Sequence, residues 1–326
     1  MSSDDATLYG EDAKAPPRAA SKPVDMLRLE RGTSIGRYVV VEKLGQGGMG
    51  VVYAAYDPQL DRKVAFKLLH SRKTPKSTEA RQEKQDRLLR EAQALARIAH
   101  ANVIAVHDVG TFEGHIFVAM EYLEGEDLQT WAKSEPGWEA VLAAYIKAGR
   151  GLEAAHKSGL VHRDFKPENA FRCTDGRVKV LDFGLAHVSD PDMLDTGEQE
   201  SEPMSAEQIA AAATGATLAS ATARTSMGGS TSSLSIRMTK PGSLLGTPAF
   251  MAPEQWDGDE TDARSDQFSF CASLYEGVYG QRPFRGDTVP SIAFNIRRGE
   301  VRDPPANSKA PSWLRRAIFR GLEVEP

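Results

Sequence analysis

Residues 161–171 read VHRDFKPENAF. An apolar Leu160-Val161 pair runs directly into His162, Arg163, Asp164, Lys166, Glu168 and Asn169. A mere polar turn has no use for that set. Asp164 can accept or orient a hydroxyl proton. Lys166 can offset negative charge that develops nearby. Asn169 offers a carbonyl oxygen to a hard metal ion. Eighteen residues after Asp164 stands Asp182, at the end of the apolar run in VLDFGLA. It adds a carboxylate suited to the same kind of ion.

Upstream, residues 44–53 read LGQGGMGVVY, with Gly45, Gly47, Gly50 and Val52 in a G-x-G-x-x-G-x-V pattern. Without side chains the backbone can approach phosphate oxygens and offer N–H donors. A dinucleotide-binding reading would need a helix next, but GVVYAAYD reads as a strand, so that reading falls. Lys67 lies in KVAFKLLH, the following strand. A lysine alternating with apolar neighbours is usually solvent-facing. Glu91 alters that view, because it shares a helix face with Leu88 and Leu95 and an inward carboxylate needs a buried partner. Lys67 and Glu91 are therefore expected to pair, with Lys67 held against phosphates. Downstream, residues 246–256 read GTPAFMAPEQW and supply Thr247 and Glu254.

Composition sets the frame. The chain has 326 residues, 40% hydrophobic and 26% charged, which suits one large globular domain or two modest ones. A formal charge of -5 argues against a coat for nucleic acid or an anionic membrane. The two cysteines, Cys173 and Cys271, form no CxxC pair, so neither a disulfide framework nor a zinc site is expected and a reducing cytoplasm fits. No apolar run reaches the roughly 20 residues that span a bilayer.

Residues 1–37 read as a disordered tail. Next come three strands (YVVVEKL, GVVYAAYD, KVAFKLLH), a charged helix with an apolar stripe at Leu88, Ala92 and Leu95, and two strands near 103–109 and 115–122. This is a small five-stranded β lobe with one helix, residues 38–122. Residues 123–326 form a mostly helical lobe, with the clearest helix at WEAVLAAYIKAGRGLEAAHKSG, short strands near 170–172 and 178–181, and later helices near 265–279 and 311–322. The fold class is α+β. Residues 189–240, dominated by Ser, Thr, Ala and Gly, read as a flexible insertion.

In this order, the five motifs resemble the eukaryotic-type protein kinases, from about Tyr38 to the C-terminus. The resemblance implies a bilobal kinase fold, ATP in the cleft, and Mg²⁺ (or Mn²⁺) as cofactor. ATP would be met by Leu44, Gly45, Gln46, Gly47, Gly48, Met49 and Gly50. Val52 and Ala65 would cover the adenine ring, and Phe171 completes the nucleotide set. Met120 would be the gatekeeper, Glu121 and Leu123 would offer hinge backbone groups, and Asp127 is a further candidate for the ribose. Asp182 and Asn169 would hold the metal. Asp164, Lys166, Lys67, Glu91 and Thr247 would carry the chemistry. Lys166 and Thr247 look like the serine/threonine branch, and SDQFSFCASLYEGVYGQRPF looks bacterial.

The same resemblance implies protein substrates with Ser or Thr acceptors, the chain itself among them. No nucleic acid or membrane partner is implied for this segment, and a dimer is one further expectation. Arg163 would pair with a phosphorylated residue, with Thr239 and Ser243 as candidate acceptors and Ser235 behind them. Three departures stand out. Cys271 replaces a glycine beside the loop-bracing Asp266, and the segment from Asp182 to Glu254 is unusually long. The chain also stops before an arginine that would pair with Glu254. A pseudokinase would normally lack Lys67, Asp164 or Asp182. A small-molecule phosphotransferase would lack GTPAFMAPE.

Overall fold

The computed structural model describes residues 29–47, 50–69, 86, 89–183 and 247–325. The insertion at 189–240, Gly48, Met49, Leu88, Ser235, Thr239 and Ser243 lie outside the described residues.

The upper lobe is a six-stranded antiparallel sheet in the order β1-β2-β3-β4-β6-β5. Its strands are β1 (Ser34–Ile35), β2 (Tyr38–Gly47), β3 (Gly50–Asp57), β4 (Arg62–Leu69), β5 (Val106–Phe112) and β6 (His115–Glu121). The expected count was five. The sixth arises because Ser34 and Ile35 pair with Val39 and Tyr38. Ile35 is fully buried, so the lobe takes in part of the stretch read as a tail. One apolar side chain with a place in the core outweighs the polar composition around it.

Local chemistry sets the hairpins. Glu113 and Gly114 join β5 to β6, both at positive φ (49 and 81), as a two-residue primed turn requires. On the inner face, Tyr38, Phe66 and Phe117 pack with ring centroids 4.7–6.2 Å apart. Fully burying one such ring contributes about 1.5–3 kcal/mol. A helix over 89–96, α1, covers the sheet and buries Ala92 and Leu95.

The lower lobe holds β7 (Gly125–Asp127), β8 (Ala170–Cys173) and β9 (Val178–Val180) as a three-stranded sheet. Around it lie α2 (Leu128–Ala132), α3 (Trp138–Lys157), α4 (Pro253–Asp257), α5 (Ala263–Tyr279), α6 (Val289–Arg297) and α7 (Ser312–Arg320). α3 buries Val141, Ala144, Tyr145, Ala148, Leu152 and Ala155, a stripe at helical spacing. A Cβ on Gly151 would lie 2.3 Å from the Asn102 carbonyl, so only glycine lets α3 approach that backbone. α5 starts at an Asp262 cap that accepts the Arg264 N–H at 2.7 Å, and it ends at left-handed Gly280.

Cys173 and Cys271 are free and buried. Burial pushes the Cys271 thiol up to about 12. Its sulfur fills the space beside Gly321, where a Cβ would come within 2.3 Å of it. The bulk added at position 271 is thus accommodated by a glycine on the neighbouring helix end.

Candidate active site

β3 and β4 build one wall. Val52 pairs with Lys67, Ala54 with Ala65, and Ala65 in turn with Met120 on β6. Strand alternation therefore puts Ala65 and Lys67 on one face, with Val52 and Met120 beside them. The loop above is a continuation of β2 and β3, with Gly45 opposite Val52 and Gly47 opposite Gly50. A Cβ on Gly50 would meet the Leu68 carbonyl at 2.2 Å, so this glycine is needed for strand packing. At Gly45 and Gly47 a Cβ would meet nothing within 4 Å. Those two leave open backbone that phosphates can approach. Leu44 is exposed, and Gln46 is held by the Lys43 ammonium at 2.6 Å.

Glu121 ends β6, and its N–H is used by the Ala105 carbonyl at 2.9 Å. Half-buried Leu123 lies two residues on. Sequence reading missed the Glu121 side chain. That carboxylate accepts the Ala105 N–H at 2.8 Å and meets Lys179 of β9 at 2.5 Å, joining the lobes. Asp127 caps α2, accepting the Thr130 N–H at 2.7 Å and the Thr130 hydroxyl at 3.0 Å. Its carboxylate is thereby committed to the helix. Phe171 sits on β8 between Asp127 and Lys179.

The opposite wall is the loop before β8. Lys166 Nζ lies 2.9 Å from Asp164 Oδ2, and Asn169 Nδ2 donates to the Asp164 carbonyl at 2.7 Å. All three are drawn together as the sequence implied. The brace is Asp266 of α5, fully buried, which accepts the His162 and Arg163 N–H groups at 2.7 Å each. It also meets His156 Nε2 at 2.7 Å. Arg163 sits at φ 65, and its buried Nε has no hydrogen-bond acceptor among the described residues.

Asp182 joins the two walls. Its carboxylate lies 2.7 Å from Lys67 Nζ. Burial would raise the Asp182 carboxyl, yet the charge and hydrogen bond of Lys67, with His162 and Lys166 farther off, hold it below the usual value. Phe183 is buried against His162 with ring centroids 4.7 Å apart, which turns Asp182 toward the cleft. The ion pair of Lys67 is therefore with Asp182, where Glu91 was expected. Glu91 is half-buried on α1 and is itself engaged. A helical stripe places a carboxylate inward, but it does not fix how far the helix lies from the strand.

Thr247 opens a 3-10 turn, Thr247–Phe250, and its side chain lies outside the described residues. Glu254, whose expected partner was an arginine beyond Pro326, accepts a hydrogen bond from the Ser265 hydroxyl.

The protein kinase domain family model matches residues 38–219. This chain belongs to the protein kinase family. Over 293 residues it is 31% identical to a probable serine/threonine-protein kinase of Clostridium perfringens, covering 89% of this chain and 36% of that one. It is 33% identical over 275 residues to the serine/threonine-protein kinase PknL of Mycobacterium tuberculosis, covering 84% and 57%. The kinase chain thus spans about a third to somewhat over half the length of these curated relatives. Its fold is that of the Mycobacterium tuberculosis PknI kinase domain, with TM-score 0.58, 23% identity and 92% of each chain covered.

The residues fit the group that the family implies. Among the described residues no three His, Cys, Asp or Glu side chains converge on a point. Mg²⁺ is commonly held by one or two protein oxygens plus substrate phosphates, which Asp182 and Asn169 suit.

Proposed function

We propose that this kinase domain transfers the γ-phosphoryl group of ATP to serine or threonine hydroxyls of proteins. The convergence of the Lys67–Asp182 pair with Asp164, Lys166 and Asn169 across one cleft carries the reading. The names of the curated relatives support it.

Each residue then has a task. The open backbone at Gly45 and Gly47 and the Lys67 ammonium bind the phosphate chain. Val52, Ala65 and Met120 line the wall for the base, and the hinge carbonyl of Glu121 meets its edge. Asp182 and Asn169 would hold Mg²⁺, which would supply charge neutralisation for the phosphates. Asp164 accepts or orients the attacking hydroxyl, and Lys166 offsets charge on the group in transfer. Arg163, with a buried nitrogen free to donate, supports docking of a phosphorylated residue from the 230–243 segment, with Thr239 and Ser243 as acceptors. Autophosphorylation between two copies would make the dimer a functional one. No described helix is long and apolar enough to cross a membrane.

The test is phosphate incorporation from Mg-ATP into the chain itself and into a generic basic protein, wild type beside Asp164→Asn. Label lost in the variant is expected. Equal label in both sinks the assignment of Asp164. No label in either, with ATP still bound, points to a nucleotide-binding scaffold.

A further inference from the structure

Gln255 is the third residue of α4, the short helix after Ala252. Its side-chain carbonyl accepts the Ala252 N–H at 2.9 Å, and its side-chain amide donates to the Arg163 carbonyl at 2.7 Å. These partners settle which end of the amide is which. A backbone N–H needs an acceptor and a carbonyl needs a donor.

The Arg163 carbonyl belongs to the peptide unit that leads into Asp164. The N–H of that same unit lies 3.3 Å from His162 Nδ1. One residue back, the Arg163 N–H is held by Asp266 Oδ1 at 2.7 Å. Arg163 itself is left-handed, at φ 65, which a non-glycine residue keeps only where its surroundings enforce it. A peptide unit is planar, so holding its carbonyl and its N–H fixes ψ of Arg163 and φ of Asp164. Those two angles set the direction in which the Asp164 side chain leaves the backbone.

We infer that Gln255 is a positioning residue for Asp164. Its amide couples the end of the segment from Phe183 to Glu254 to the loop that carries the proton acceptor. A change in how that segment is anchored reaches Asp164 through one hydrogen bond. The inference rests on the role given to Asp164 above. The plainer alternative is that Gln255 only caps α4.

Two substitutions separate these roles. Gln255→Glu keeps the acceptor for Ala252 and loses the donor to Arg163. Gln255→Met loses both. Steady-state kinetics on the full chain with Mg-ATP and a basic protein would be run for both, beside wild type and Asp164→Asn, with thermal melting of each.

Both variants are expected to lower kcat about tenfold, the effect of roughly one hydrogen bond, with KM for ATP within about twofold of wild type. A wild-type kcat for Q255E beside a slow or low-melting Q255M would overturn the inference and leave only the cap. So would a loss carried by KM for ATP. If Q255E does not fold, Q255M decides by the same split, and an unchanged kcat refutes the coupling. Label retained in Asp164→Asn would instead refute the underlying reading.

Discussion

Lys67 on β4 and Asp182 beyond β9 form an ion pair of 2.7 Å that spans the two lobes. Lys67 is 5% exposed, so the charge sits where water screens it weakly. In the proposed function the pair brings together the cation that would meet phosphate and the carboxylate that would hold metal. Each loses its partner if the other is removed.

Lys67→Met should lower kcat/KM by about a hundredfold or more, the scale seen when one preorganised donor is lost. Burial would then act on the Asp182 carboxyl without the opposing charge, and its pKa should rise. Kinetics beside NMR titration of the carboxylates would read both effects. An unmoved Asp182 would mean that Lys67 does not control it.

Acid stability follows from the same group. The Asp182 carboxyl lies below its ordinary 3.8 in the folded chain. The stability it contributes is therefore fully present above 3.8 and is lost as pH falls through the lower folded value. Melting curves from neutral to strongly acid pH should show Asp182→Asn narrowing its gap to wild type at the acid end. A constant gap would contradict the assignment.

Asp266→Ala should destabilise the domain by about 3 kcal/mol, because two buried N–H groups lose their acceptor. The N–H groups are those of His162 and Arg163. Urea denaturation gives the loss directly, and activity should fall with it because the loop holding Asp164 loses its brace.

Gly321→Ala should cost about 1–3 kcal/mol through overpacking against Cys271. Paired with Cys271→Ala, most of that cost should vanish, giving a coupling energy of about 1 kcal/mol or more. Additive losses would show that the two positions do not compete for one space.

Much of the fold was legible along the chain. β-branched and aromatic runs between turn residues gave the strands of the upper lobe, and the stretch WEAVLAAYIKAGRGLEAAHKSG gave α3. Edges were less legible. The strand expected at 103–109 runs instead from Val106 to Phe112, because pairing with β6, not propensity, sets its limits. Ile35 was hidden in a polar stretch, since a two-residue strand leaves no period to detect. Gln255 and Lys179 carried no motif signal. Their partners are Arg163 and Glu121, far away in sequence.

By itself the sequence determined the order of elements, the two-lobe division and the set of chemical groups in the cleft. Those follow from short-range periodicity and from motifs whose members lie within a turn or a strand of one another. Only the tertiary structure decided the pairings between them. Lys67 meets Asp182 and not Glu91, Glu254 meets Ser265, and Gln255 reaches the peptide before Asp164. A hydrogen bond or ion pair forms at about 3 Å and weakens steeply beyond it, so shifts of an ångström or two in packed elements choose the partner. Residue spacing along the chain carries no such information.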